Sequence, residues 1–467
     1  MNRRYKLTGG LTDKDMEIFH ERVLHTIEKI GAKISSKLAE SLAGRKNFSV
    51  SGNKTTISAA VVEDYLARVR QRPVPDSSLS SAYSIVAPGA LPFYLEDVET
   101  SQLRPLLTAD AVSCCKLIDG LSEYGLKGQA AGMPQDIPIP LRMIASCKIG
   151  LENCRTAGAV GVTSLAEAQI MDDMLDAVGK SGRTVNVFVL NPLRVEGNEV
   201  DIALNFIEKN PSVNIYVHSM PIQGLSVPVH LAGAFVEAAA AVIAGATIFD
   251  QLTQGDVTFD ISTVFQLDMK TGAIVYGTPQ FLLSMLIGKG INEFYGIHNP
   301  HFRSLTCNMA ACDAQSTSLR SMQTVYGALS DFTEFCYGGL LAVDKVFSPL
   351  QLLVDVEIVK YAESVANGFG FESQHLSFDA INEIGTDGDY LTHPTTLADY
   401  RQIGWNTILF GGESLEQYTK DPRQLRKKAR ALIDEKIKNH DFSLPDEIQK
   451  ELDSIYKRAC KVLMKDS

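Results

Sequence analysis

The feature that most constrains this chain is a repeat of short β-branched or apolar runs, each followed by a longer helical pattern, recurring every roughly thirty to forty residues from about residue 107. Parallel strands need crossover connections long enough to hold a helix, so this alternation implies a parallel sheet. The strand candidates are 125–131, 156–162, 184–190, 213–219, 256–264, 303–309, 333–341 and a segment around 370–377. Eight such units favour closure over an open sheet, and the predicted fold is α/β, a (β/α)8 TIM barrel spanning residues 106–410.

Two regions flank it. Residues 1–105 read as an N-terminal accessory α/β region packed on the barrel, and 411–467 as a helical C-terminal extension. Thr12 is placed to cap a helix from Asp13 to Ile30, in which Met16, Phe19, Val23 and Ile27 recur at helical spacing. Phe48 to Val50 and Thr55 to Ile57 flank the turn residues Ser51-Gly52-Asn53 as a hairpin, and Ala59 to Arg70 reads as a second helix. Pro73 to Ser81 is a Pro/Ser linker, and Pro92 to Leu95 a short strand.

Charge and composition narrow the function classes. The 467 residues hold 44 Lys+Arg against 55 Asp+Glu, a net charge of −11, which argues against nucleic acid as a partner. The N-terminus lacks the apolar core of a signal peptide, and Val229 to Phe249, the most apolar stretch, carries His230 and Glu237 and suits a buried helix better than a membrane span. A cytoplasmic protein without a membrane segment is expected. The eight cysteines form no CxxC pair, so they read as reduced, buried small side chains.

In a (β/α)8 barrel the working residues lie at the C-terminal ends of the strands. Applied to the predicted strands, this filter selects Phe188 and Asn191, His218 and Ser219, Gln266 and Asp268, Asn308 and Tyr337, with the loop residues Tyr390 and His393. A strand-end His or Asn taken alone is more often structural; the number of such residues at one face is the stronger argument. A metal site is the first alternative, since Cys307, Cys312 and Cys336 fall near His298 and His301, but no two of these share a familiar ligand spacing. GxGxxG, GxxxxGK[ST] and GxSxG are all absent, and paired strand-end carboxylates are not evident. What the aromatics suggest is a cage: Tyr94, Phe188, Phe265, Tyr276, Phe335, Tyr337 and Phe347 offer ring faces of the kind that attract quaternary ammonium groups, although any single ring can equally be core.

The order of several motifs resembles the trimethylamine methyltransferase family, in its branch without pyrrolysine, over about residues 12–405. The matching text is Phe93-Tyr94-Leu95-Glu96-Asp97 with Arg104-Pro105, Ser226 to Gly233, Leu267 to Gly272 with Gly277-Thr278-Pro279-Gln280, Cys312-Asp313-Ala314-Gln315, and Glu383-Ile384-Gly385 through Tyr390 to Thr396. The resemblance implies methyl transfer from a methylated amine to the Co(I) of a corrinoid (cobalamin) carried by a partner protein or supplied free, with no metal bound directly. Pyrrolysine is missing, and Thr306 to Ala311 is ordinary sequence, so quaternary amines replace trimethylamine as the expected substrates. Within the family the similarity points to glycine betaine, with proline betaine, carnitine and γ-butyrobetaine as alternatives. The expected binding set is Tyr94, Phe188, His218, Gln266, Asn308, Tyr337, Phe347 and His393, with aromatic faces holding the trimethylammonium and His218, Asn308, His393 or a nearby backbone N–H holding the substrate carboxylate, with no acid–base residue, in a homo-oligomer. A zinc-dependent corrinoid methyltransferase and a betaine-binding protein without transfer activity are the competing readings.

Overall fold

The computed structural model describes residues 10–73 and 83–464, apart from 181, 183, 262, 300, 369, 371–372, 387, 404–406, 412–413 and 422–423. Most of the predicted linker Pro73 to Ser81 lies outside the described residues.

Seven strands form two parallel arcs. They are β1 (Ser84–Val86), β2 (Leu126–Lys127), β3 (Val185–Val189), β4 (Ile215–Ser219), β5 (Val257–Asp260), β6 (His301–Phe302) and β7 (Glu334–Cys336). One arc runs β6-β7-β1-β2 and the other β5-β4-β3, all neighbours parallel. Between β2 and β3 in the chain, residues 156–162 carry no ladder, but Thr156 Oγ1 bonds the backbone of Gly128 at 3.0 and 3.2 Å, directly after β2. Helices follow in turn at Thr108–Gly120, Arg142–Asn153, Leu165–Ala177, Asn198–Lys209, Leu231–Asp250, Pro279–Phe294, Ala314–Leu329 and Pro349–Asn367. This is the chain order of a (β/α)8 barrel.

The strand boundaries differ from the sequence reading in ways that matter later. The barrel opens at Ser84–Val86, inside the segment read as accessory, and the segment around 370–377 is a helical turn at Ser373–Leu376. The stretch 303–309 carries no strand; the ladder sits just before it, at His301–Phe302. Residues 261, 263–264 and 337–339 lie beyond their ladders as well.

The accessory elements follow their local chemistry. Helix Asp13–His25 starts at a capping box in which Thr12 Oγ1 accepts from Asp15 N and Asp15 Oδ2 accepts from Thr12 N at 2.9 Å; a π-turn then carries it to Ile30. It stops at Gly31, where φ is +76° and a Cβ would lie 2.3 Å from Thr55 O. The hairpin Phe48–Ser51/Lys54–Ile57 pairs with Ala32–Ile34, which pairs in parallel with Arg194–Val195 after β3. At the other end, helices Gln424–Lys438 and Asp446–Leu463 pack on the barrel helices through Ala429, Ile433, Leu452, Ile455 and Ala459.

The core lies between strands and helices. Phe302, Phe335, Ile85 and Leu126 stand in register across one arc and are buried, as are Val187, Val217 and Phe259 across the other. Leu231–Asp250 is, among the described residues, the one helix long and apolar enough to cross a membrane, and 72% of its apolar window is buried inside the fold. Its Gly245 approaches the sheet so closely that a Cβ would meet Val189 Cγ1 at 2.9 Å.

Candidate active site

Side chains alternate along a strand, so the residues between the core positions face the barrel interior. There the chain departs from the usual filling of layered, branched apolar residues. In one arc the inward layers are Asn186, Tyr216 and Thr258, then Phe188, His218 and Asp260, each set in register. In the other they are Ser84, Glu334 and His301, then Lys127, Val86 and Cys336. The interior is polar and open enough that Asn186 and His301 stay exposed on barrel strands.

Three clusters divide this space. The first is aromatic: the His218 ring stands edge-on to Phe188 at 5.2 Å between centroids and stacks on Tyr216 at 5.3 Å. Burial first, and Arg303 second, push the His218 pKa down to about 4, so at neutral pH its ring is uncharged. Asp260, beside it in register, accepts from Asn292 Nδ2 at 2.7 Å.

The second cluster is charged. Glu334 binds His301 Nδ1 at 3.0 Å and Lys127 Nζ at 2.6 Å, and Cys336 Sγ lies 3.7 Å from the same His301 nitrogen. Hydrogen bonds to Cys336 and Glu334 raise His301 to about 10, and the bond from His301 lowers Glu334 to about 2. The cysteine–histidine proximity is real, but among the described residues no group of three His, Cys, Asp or Glu is arranged to hold a metal.

The third cluster is Arg303 with the loop after β7. The guanidinium carbon sits 5.6 Å from the Tyr337 ring centroid and 5.8 Å from that of Phe265. Tyr276 OH and Thr306 Oγ1 each approach Asp344 at 3.4 Å. Burial raises the Asp344 carboxyl, opposed by Arg303. Tyr337, Ala342, Val343 and Asp344 all have positive φ, an unusual density for residues with a Cβ. The loop is fixed from beneath by Arg320, which donates to Leu305 O and Leu340 O and pairs with Asp355 at 2.8 Å; Asp355 in turn accepts from Gly339 N at 2.7 Å.

Of the expected binding set, the structure brings Phe188 and His218 together and places Tyr337 against Arg303, whose charge reaches His218. Gln266 accepts from Thr278 Oγ1 at 2.5 Å, tying its strand to the cap of helix Pro279–Phe294. Asn308 is committed to backbone, accepting from Tyr276 N at 2.8 Å and donating to Ile274 O at 2.7 Å. Phe347 is fully buried, its ring against Gly339. Tyr94 lies tilted against Phe93 at 5.2 Å between ring centroids, outside the interior clusters. His393 bonds Thr395 Oγ1 at 2.7 Å and lies 3.4 Å from Glu383, beyond the barrel strands. Phe265, Tyr276 and Phe335 are nearly or wholly buried. Tyr216, Asp260, Arg303, Asp344 and the His301–Glu334 pair are interior residues that strand-end reasoning did not select.

The barrel interior thus sets uncharged aromatic faces next to fixed charges. The sequence model of the family described as trimethylamine methyltransferase (MTTB) matches residues 1–462. The chain belongs to the trimethylamine methyltransferase family and is a methyltransferase. The glycine betaine methyltransferase of Desulfitobacterium hafniense (strain Y51) is 22% identical over 461 residues, 95% of each chain. The trimethylamine methyltransferase MttB of Desulfitobacterium hafniense (strain DSM 10664 / DCB-2) is 21% identical over 424 residues, 84% of this chain and 82% of its own. Among solved structures, the Methanosarcina barkeri monomethylamine methyltransferase (MtmB) is similar to 97% of this chain and 88% of its own, at 12% identity and a TM-score of 0.49.

Proposed function

We propose that the protein transfers a methyl group from glycine betaine to the Co(I) of a corrinoid protein, releasing dimethylglycine. The observation that carries the reading is the aromatic patch of Phe188, Tyr216 and an uncharged His218 at the barrel interior, beside the Asp260 carboxylate. Ring faces attract a trimethylammonium group, and a neutral imidazole does not repel it. The corrinoid is a co-substrate that supplies a nucleophilic electron pair.

In the reaction the N–CH3 bond breaks, its electron pair stays on nitrogen, and a Co–CH3 bond forms. The nitrogen begins with a positive charge and leaves neutral, so no proton donor is needed at the leaving group. What the chain contributes is orientation, charge complementarity and exclusion of water. The strained 337–344 loop, clamped by Arg320 and Asp355, holds the wall of the site in place.

The test is the visible spectrum of free Co(I) cobalamin incubated with purified protein and glycine betaine, proline betaine, carnitine or trimethylamine offered separately. Methylcobalamin formed with glycine betaine supports the reading. Formation with another betaine instead keeps the mechanism and replaces the substrate, and no methylation with any amine overturns the function, leaving a binding protein.

A further inference from the structure

Arg303 follows β6 at its C-terminal end and stands next to Cys336 on the interior side of the ladder, since Phe302 and Phe335 are the outward, buried pair. A guanidinium carries five donors and a permanent charge, and in a half-buried position it normally finds a carboxylate or several carbonyls. Arg320 shows that pattern with Asp355, Leu305 O and Leu340 O, and Arg155, Arg194 and Arg68 each hold a carboxylate. Arg303 lies over two rings and, among the described residues, makes no hydrogen bond or ion pair. Its nearest acidic neighbours are engaged elsewhere, Asp260 by Asn292 and Asp344 by Tyr276 and Thr306.

A guanidinium without a direct ion-pair partner is a poor neighbour for a substrate that is only a cation. It is well suited to a substrate carrying an acid group a few bonds from its ammonium. From these placements we infer that Arg303 is the carboxylate anchor of the site, taking the substrate acid group bidentately while the ammonium lies against Phe188, Tyr216 and His218 with Asp260 beyond them. The inference rests on the methyl-transfer reading and sharpens it: the chain selects zwitterionic betaines against methylated cations that lack a carboxylate. Attraction and rejection come from the same residue, because a tetraalkylammonium adds a second positive charge to the site and brings no carboxylate to the Arg303 guanidinium.

The experiment compares wild type with Arg303→Met and Arg303→Lys. Calorimetry measures binding of glycine betaine and tetramethylammonium to the protein alone, and Co(I) cobalamin methylation gives kcat and KM for each. The expected result is that the glycine betaine to tetramethylammonium preference falls about a hundredfold in Arg303→Met, equivalent to about 2.8 kcal/mol. The loss falls on Kd and KM for glycine betaine more than on kcat, and Arg303→Lys, a point charge without the fork, recovers part of it. Loss of a merely structural residue would weaken both ligands together and leave the ratio unchanged; that outcome, or wild type binding no glycine betaine, overturns the proposal. Absence of methyl transfer with every amine, while glycine betaine binding still depends on Arg303, overturns the methyl-transfer reading and leaves the anchor standing.

Discussion

The clamp beneath the site makes a strong stability prediction. Arg320 and Asp355 are both fully buried, and Arg320 also serves Leu305 O at 2.6 Å and Leu340 O. Replacing Arg320 with Met leaves the Asp355 charge buried with only Gly339 N and Gln351 Nε2 as donors, at 2.7 and 3.0 Å. Breaking a buried pair on one side costs about 3–5 kcal/mol, and each carbonyl left without a donor about 1–3 more in isolation. These contributions share one network and overlap, so a loss of about 4 kcal/mol is expected. The assay is urea unfolding followed by circular dichroism. Replacing both members, Arg320→Met with Asp355→Leu, removes the orphaned charge and is expected to recover most of the loss. A single-variant loss under about 1 kcal/mol, or a double variant as unstable as the sum of the singles, would refute the reasoning. Because the carbonyls of Leu305 and Leu340 belong to the loops after β6 and β7, Arg320→Met should also reduce methyl transfer.

Further outcomes follow from the charges and the packing. His218 sits near 4 against an ordinary 6.5, so as pH falls from 6.5 towards 4 the unfolded chain takes up a proton the folded chain refuses; stability falls across that window, and His218→Gln should flatten it in acid unfolding. His301 is raised from 6.5 to about 10, so its stabilising contribution is full below pH 6.5 and is lost as pH rises through about 10; Glu334→Gln should shrink that alkaline loss and bring the His301 NMR titration down, and an unmoved titration would contradict the pairing. Glu357, fully buried, accepts from the amides of Ile408, Leu409 and Phe410 on one oxygen, so Glu357→Ala should cost about 3 kcal/mol and speed hydrogen exchange at those amides. Gly245→Ala should cost about 1–3 kcal/mol by overpacking against Val189 and Val217, measured by the same urea titration.

Much of the architecture was legible because crossover helices and β-branched runs have different periods: 184–190, 213–219 and the core of 256–264 contain β3, β4 and β5, and the Thr12 cap, the hairpin turn and helix Ala59–Arg70 lie where local chemistry put them. The barrel's first strand was hidden because Ser84–Val86 is three residues long and follows a Pro/Ser stretch. The site was less legible, and for one reason. Strand-end reasoning needs strand ends, and the ladders stop early: at Asp260 rather than 264, and at Phe302 rather than 309. Moving those ends exchanges Gln266 and Asn308, which hold backbone and a cap, for Asp260 and Arg303. The signal that would have located the interior is the alternation itself. Tyr216-Val-His218, Thr258-Phe-Asp260 and His301-Phe-Arg303 put polar groups at every second position of strands otherwise apolar. Both faces of a barrel strand are normally buried, so such alternation marks an open, polar lumen. Phe347 failed as a cage member for the complementary reason: an aromatic residue in a β-branched context is indistinguishable in sequence from core.

The central claim is methyl transfer from glycine betaine to a corrinoid, and isotope-labelled substrate tests it most directly. Glycine betaine with 13C-labelled N-methyl groups, incubated with the purified protein and Co(I) cobalamin, should yield labelled methylcobalamin and dimethylglycine in equal amounts by NMR, with none formed when the protein is omitted. Labelled glycine betaine remaining intact, or dimethylglycine appearing without label on cobalt, would contradict it.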